Sequence, residues 1–159
     1  MAVTTLIAKD VNSSKLARCY VTIDGQRYLL MMGKSLEANI EIEKQEVPIL
    51  GRSGKGHKST SWNGTGSMTI YYVTSIFTKL MKKFKDEQKE TFFDIQVINE
   101  DPTSASNKSD ITLKDCSIDG GLIAAFDADG DWLEQDIDFT FEDYVIAQEF
   151  DTLSGMTLT

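Results

Sequence analysis

Gly51 and Gly56, with Lys58 and Ser59 close behind, approach the spacing by which a loop's backbone amides cradle the phosphates of a nucleotide. That cradle needs lysine directly after the second glycine, where His57 stands, and a helix beyond it to aim N–H groups at the anion. Here Trp62, Asn63 and Gly64 lead into strand-like sequence, so a flexible contact loop is the better reading. Asp127, Asp129 and Asp131, with Asp138 at the twelfth place, copy part of a calcium loop's spacing. Trp132 occupies the place such a loop gives to glycine and no helices flank it, so an acidic turn accounts for these residues and no metal is assigned. Glu41 and Glu43 share a strand face, as the paired acids of a glycosidase can, but acidic faces are also ordinary aids to solubility. No nucleophile, base and orienting group gather in the sequence, so no catalytic residue and no cofactor is assigned. One histidine and two cysteines, Cys19 and Cys116, make neither a disulfide framework nor a four-ligand zinc site, and both thiols read as small core residues.

The elements that must carry any site belong to a chain of 159 residues and 17.8 kDa, the size of a single domain spanning 1–159. The longest apolar runs, Tyr28 to Met32 and Leu122 to Phe126, hold five residues each, too few for a transmembrane helix. The opening residues show no basic segment followed by an apolar stretch, and a cytosolic start is the expectation. A net charge of −9 argues against general nucleic-acid binding. Residues 1–92 carry a net +5 and residues 93–159 a net −14, a division that suits either association of copies through opposite faces or two solvated surfaces.

The periodicity is that of strands. After an N-terminal arm over 1–17, Arg18 to Ile23 and Gln26 to Met32 flank Asp24-Gly25, the turn pair of a two-residue hairpin. Leu36, Ala38, Ile40 and Ile42 then alternate with Glu37, Asn39, Glu41 and Glu43. Residues 51–66 hold five of the eleven glycines and read as one long loop. A strand follows over Ser67 to Val73. Thr74 and Ser75 then stand as N-caps of a helix over about 75–86, with Ile76, Phe77, Leu80, Met81 and Phe84 on one face. Its lysines, with Asp86, Glu87 and Glu90 among them, read as a solvated face.

Phe93, Ile95 and Val97 mark the next strand, a polar loop covers 100–110, and a change of phase near Asp115 predicts a β-bulge. Gly120-Gly121 reads as a turn. A last strand sets Leu133, Ile137, Phe139 and Phe141 against Glu134, Asp136, Asp138 and Glu142, with Gln135 the one polar residue on the apolar side. The tail 147–159 shows no pattern and is expected to be ordered by a neighbour. The sum is a mainly β fold, an antiparallel β-barrel or sandwich of about eight strands with one flanking α-helix.

In this order the segments resemble the tail tube proteins of contractile-tailed phages and PBSX-like defective prophages. The arm, the Asp24-Gly25 hairpin, the basic glycine loop before GTGSMTIYYVTSIF, the single helix and the closing strand DWLEQDIDFTFEDY carry the resemblance. It implies a structural protein without enzymatic activity or cofactor, a small β-barrel that forms hexameric rings stacked into a hollow tube, with sheath and baseplate proteins as partners and DNA only as passing cargo. It also implies assembly in the host cytoplasm before incorporation into a virion tail or tail-like particle. By resemblance 51–66 is the loop that reaches an adjacent ring, offering Arg52, Lys55, His57, Lys58 and Trp62, while the arm and tail touch neighbours. Either acidic strand face, Glu37, Glu41 and Glu43 or Glu134, Asp136 and Asp138, is a candidate to line the lumen, where like charge would keep DNA from adhering. A secretion-system tube and a small-ligand-binding β-barrel are the alternatives.

Overall fold

The computed structural model describes residues 5–156. Eight antiparallel strands and one helix follow in the order β1 (Ala17–Ile23), β2 (Gln26–Leu29), β3 (Gly33–Val47), β4 (Gly56–Tyr71), α1 (Ile76–Glu87), β5 (Phe93–Glu100), β6 (Lys108–Gly121), β7 (Glu134–Phe141) and β8 (Asp143–Gln148). Hydrogen bonding links them as β2-β1-β5-β6-β7-β4-β3, with β8 also on β6, so the fold is mainly β as its alternation requires. Two compact units divide these elements. The first holds β1, β2, β5, the first nine residues of β6, and β8; the second holds β3, β4, α1, β7 and the rest of β6.

In the first unit, β1 and β2 meet through Asp24 and Gly25, both at positive φ (50° and 80°), the paired left-handed conformation that matches strand twist in a two-residue hairpin. β5 pairs with β1 and β6, burying Val21, Phe93, Ile95, Leu113 and Cys116. The predicted bulge is present: Asp115 has φ 52°, the register slips opposite Phe93 and Ile95, and the Asp115 N–H donates to Asp94 Oδ1 at 3.1 Å. Burial pushes the Cys19 and Cys116 thiols up to about 12, so both stay protonated near neutral pH.

In the second unit, β4 lies between β3 and β7. Met68, Ile70, Ile137, Phe139 and Phe141 are buried on one side, and α1 adds Phe77. Gly64 and Gly66 have a steric task. A Cβ at Gly64 would lie 2.5 Å from the Phe141 ring, and one at Gly66 would lie 2.8 Å from the Glu37 carbonyl while striking Phe139. α1 begins one residue later than expected, and Ser75 at its cap position makes no side-chain capping bond. Gln88, at φ 56°, closes it by donating its N–H to the Phe84 carbonyl at 2.9 Å. Phe84, placed with the buried stripe by its spacing, is instead half exposed because it lies in the last turn.

Four expectations need correction. Residues 56–66 are strand, not loop: β4 starts at Gly56, and the connection from β3 is 48–55. Pairing with β3, not burial, makes this segment extended, and a strand held that way needs no apolar alternation. Gly120 and Gly121 stay within β6, pairing with Asp138 and Ile137. The arm is not simply extended, since two short 3₁₀ turns, Ala8–Asp10 and Ser14–Leu16, shape its described part. The tail begins as β8, paired to β6, and the Asp151 N–H donates to the Ser106 carbonyl, so its start is ordered within the chain. Arm residues 1–4 and tail residues 157–159 lie outside the described residues.

Gly66→Val should lower the unfolding free energy by about 1–3 kcal/mol, because Phe139 must leave its place to admit a side chain. Urea unfolding followed by circular dichroism measures it, and a variant as stable as the parent would contradict the packing described.

Candidate assembly surfaces

Residues directly opposite one another in an antiparallel sheet point to the same side, and successive residues alternate sides. Glu37 faces Ser67, and Ser67 faces Asp138; Asp136 faces Thr69; Glu134 faces Tyr71; Glu41 faces Asn63 and Glu43 faces Ser61. The six acids, which the sequence divides between two alternative strands, therefore stand on one side of the β3-β4-β7 sheet. Between them lie Ser61, Asn63, Thr65, Ser67, Thr69 and Thr140.

This carpet is hydroxylic as well as acidic. Thr69 Oγ1 donates to Asp136 Oδ1 at 2.7 Å, Ser61 Oγ to Glu43 Oε2 at 3.0 Å, and Asn39 Nδ2 to Glu37 Oε1 at 3.4 Å. Lys34 Nζ reaches Glu134 Oε1 at 2.7 Å, and the hydrogen bond to that carboxylate, with its charge, holds the ammonium group above its ordinary pKa. Glu37, Glu41, Glu43, Asp136 and Asp138 are exposed, while Glu134 is half-buried. Chemically, such a face repels polyanions and offers apolar cargo nothing to adhere to.

The other side of the same sheet is apolar, and its cover thins toward the β3-β4 hairpin tip. β7 pairs with β4 from Gly64 to Tyr71, so from Gly56 to Asn63 the only strand beside β4 among the described residues is β3. On this projecting ribbon Ile42 faces Trp62, whose ring centroid lies 6.3 Å from that of Phe141. At the tip Leu50 is fully exposed, at 103%.

The basic residues expected to act as one loop are spread along this ribbon. Arg52 and Lys55 lie in the connection, His57 and Lys58 open β4, and Trp62 sits further in, on the apolar side. Lys55 Nζ is 3.1 Å from Glu46 Oε2 of its own hairpin, an exposed pair that contributes little to stability. Among the described residues no group of three or more metal-ligating side chains gathers. Asp127 Oδ1 accepts the Asp129 N–H at 3.0 Å and so shapes its own turn.

A model of the family described as "Phage tail tube protein" matches residues 4–147. The chain belongs to the phage tail tube protein family. It is 37% identical to the phage-like element PBSX protein XkdM of Bacillus subtilis (strain 168) over 91% of this chain and 95% of that protein. Among solved structures, its fold is similar to a chain in the anti-feeding prophage tube-terminating cap, with a TM-score of 0.64, 14% identity, and coverage of 94% of this chain and 95% of that one. A chain of the sheath-tube complex of an extracellular contractile injection system gives a TM-score of 0.61 at 12% identity, over 83% and 88% of the two chains. Tail tube proteins are structural.

The arm of this tail tube protein is tied down in a way its sequence does not reveal. Ser104 Oγ donates to the Asp10 carbonyl at 2.9 Å, the Ala105 N–H to Asp10 Oδ1 at 3.0 Å, and the Ser13 N–H to Asp101 Oδ2 at 3.0 Å. Bonds from the Thr103 hydroxyl, the Thr103 N–H and the Ser13 N–H hold the Asp101 carboxyl below its ordinary pKa. A lowered folded value means that this contribution is complete above the ordinary aspartate range near pH 4 and is lost as pH falls through the folded value. The Ser13 amide resonance should therefore shift as pH is lowered below ~4, and Asp101→Asn should remove that titration. A Ser13 resonance insensitive to both would show that Asp101 does not hold the arm.

Proposed function

We propose that this protein builds the inner tube of a contractile phage tail or phage-tail-like particle, six copies closing a ring and rings stacking into a hollow conduit. The observation that carries the reading is the one-sided placement of Glu37, Glu41, Glu43, Glu134, Asp136 and Asp138 on a sheet otherwise hydroxylic. Such a face, turned inward, lets DNA or other acidic cargo pass without adhering. The opposite apolar side, where Ile40 and Ile42 are half exposed, and the hairpin tip with exposed Leu50 suit contact with neighbouring copies. β3 supports the same reading from its edge. It ends the strand order and is fifteen residues long, and a free edge of that length invites pairing unless a neighbouring copy covers it.

Arg52, Lys55, His57, Lys58 and Trp62 then serve contact with an adjacent ring through the hairpin, and sheath and baseplate proteins are the outer and terminal partners. Assembly takes place in the host cytoplasm, and the finished protein resides in the tail. The family likeness to the PBSX protein supports a prophage-derived particle.

Light scattering of the purified protein, with negative-stain images of the same sample, tests this. Six copies of 17.8 kDa should give rings of about 107 kDa, or hollow tubes. Arg52→Glu, Lys55→Glu and Lys58→Glu together should leave the ring and shorten or abolish the tubes. Particles of another closed symmetry, or a monomer at every concentration with baseplate components present, would contradict the reading.

A further inference from the structure

The second unit carries two surfaces of complementary chemistry that form no ion pair with each other among the described residues. The connection between β6 and β7, residues 122–133, is anchored where it begins. The Leu122 carbonyl accepts from Gln135 Nε2 at 2.7 Å and the Ile123 carbonyl from the Tyr72 hydroxyl at 3.0 Å, while Thr78 in the first turn of α1 contacts both Gln135 and Tyr72. Beyond that anchor the loop holds Phe126 and Trp132 in solvent, 92% and 76% exposed, on either side of Asp127, Asp129 and Asp131. Large aromatic rings so exposed are unusual, and two bracketing three carboxylates form a surface suited to contact.

The other surface is the outer face of α1. Lys79, Lys82 and Lys83 recur at i, i+3 and i+4, so they share the side of the helix opposite buried Phe77. Among the described residues, the ion pairs include none of these lysines and none of the three loop aspartates; Lys85, one step off this face, is engaged with Asp86 at 3.0 Å.

We propose that loop 122–133 of one copy docks on the lysine face of α1 of a neighbouring copy. Asp129 and Asp131 lie against the ammonium groups, and Phe126 and Trp132 cover the aliphatic stems of the lysines, where an indole face also attracts a cation. The occupant is a second copy because one sequence supplies both halves of the match in charge and in apolar area. The two patches differ, so the contact is head-to-tail, and its repetition closes a ring or extends a stack. The inference rests on the tube reading above and names a contact within it.

Reversal of charge on each side, followed by mixing, tests it. One variant carries Asp129→Lys and Asp131→Lys and keeps Asp127, whose carboxylate shapes the turn; the other carries Lys79→Glu, Lys82→Glu and Lys83→Glu. Each alone should fold by circular dichroism and lose about tenfold or more of its assembled fraction, because its loop and helix now share a sign. An equal mixture should recover assembly, since each variant's loop then meets a helix of opposite sign on the other chain. Should the reversed loop not fold, Asp129→Asn with Asp131→Asn is the substitute, and its assembly should weaken and lose sensitivity to salt. Variants that assemble alone as well as the parent overturn this contact and leave the tube reading standing. A mixture that does not recover also overturns it, and recovery only in a chain bearing both reversals would place the loop on its own helix. A parent that never assembles overturns the tube reading and this contact together.

Discussion

Phe139 and Phe141 lie across β4 where Gly66 and Gly64 leave no side chain beneath them, and the sheet's division into two unlike faces depends on that packing. With the rings seated, β7 is locked in a register that sends Ile137, Phe139 and Phe141 inward and Glu134, Asp136 and Asp138 outward. A slip of one residue would exchange the two sets. β3 inherits the same polarity through β4, so the side chains that stabilise the fold and those that face cargo in our reading are fixed by one alternation.

That arrangement also explains why the molecule is poor in single-site chemistry and rich in surfaces. The carboxylates of this sheet face stand on two strands, β3 and β7, separated by the Ser, Thr and Asn of β4, and are not gathered into a pocket. Its thiols, Cys116 buried and Cys19 half-buried, are held protonated. What remains exposed in quantity is the apolar ribbon, the β3 edge, the aromatic and acidic loop and the lysine face of α1. In our reading, such surfaces are where the function of this chain resides.

Much of this was legible because period-two alternation is a direct record of burial. β7, the helix, the Asp24-Gly25 hairpin and the bulge at Asp115 are readable from residue types, since each has a local physical cause: amphipathic spacing, paired positive φ, or a change of phase. Residues 56–66 misled because their extension comes from pairing with β3, which glycines and hydroxylic residues permit without announcing. β8 was hidden for a related reason: Tyr144, Val145 and Ile146 are consecutive and half-exposed, so no alternation marks them. At the candidate surfaces, the acids were visible as two strand patterns, but their union on one side depends on β3-β4-β7 register, which no single segment contains. The arm's ties to Asp101, Ser104 and Ala105 span about ninety positions and have no local signal.

The claim that organises these observations is the direction of the acidic face. A helical reconstruction of assembled tubes by electron cryomicroscopy, at a resolution that traces β3, β4 and β7, tests it directly. The account predicts Glu37, Glu41, Glu43, Glu134, Asp136 and Asp138 on the wall of the channel, with Ile42 and Trp62 turned away from it into contacts between copies. A channel lined by the Ile42 and Trp62 side, with the six acids on the outer surface, would contradict it.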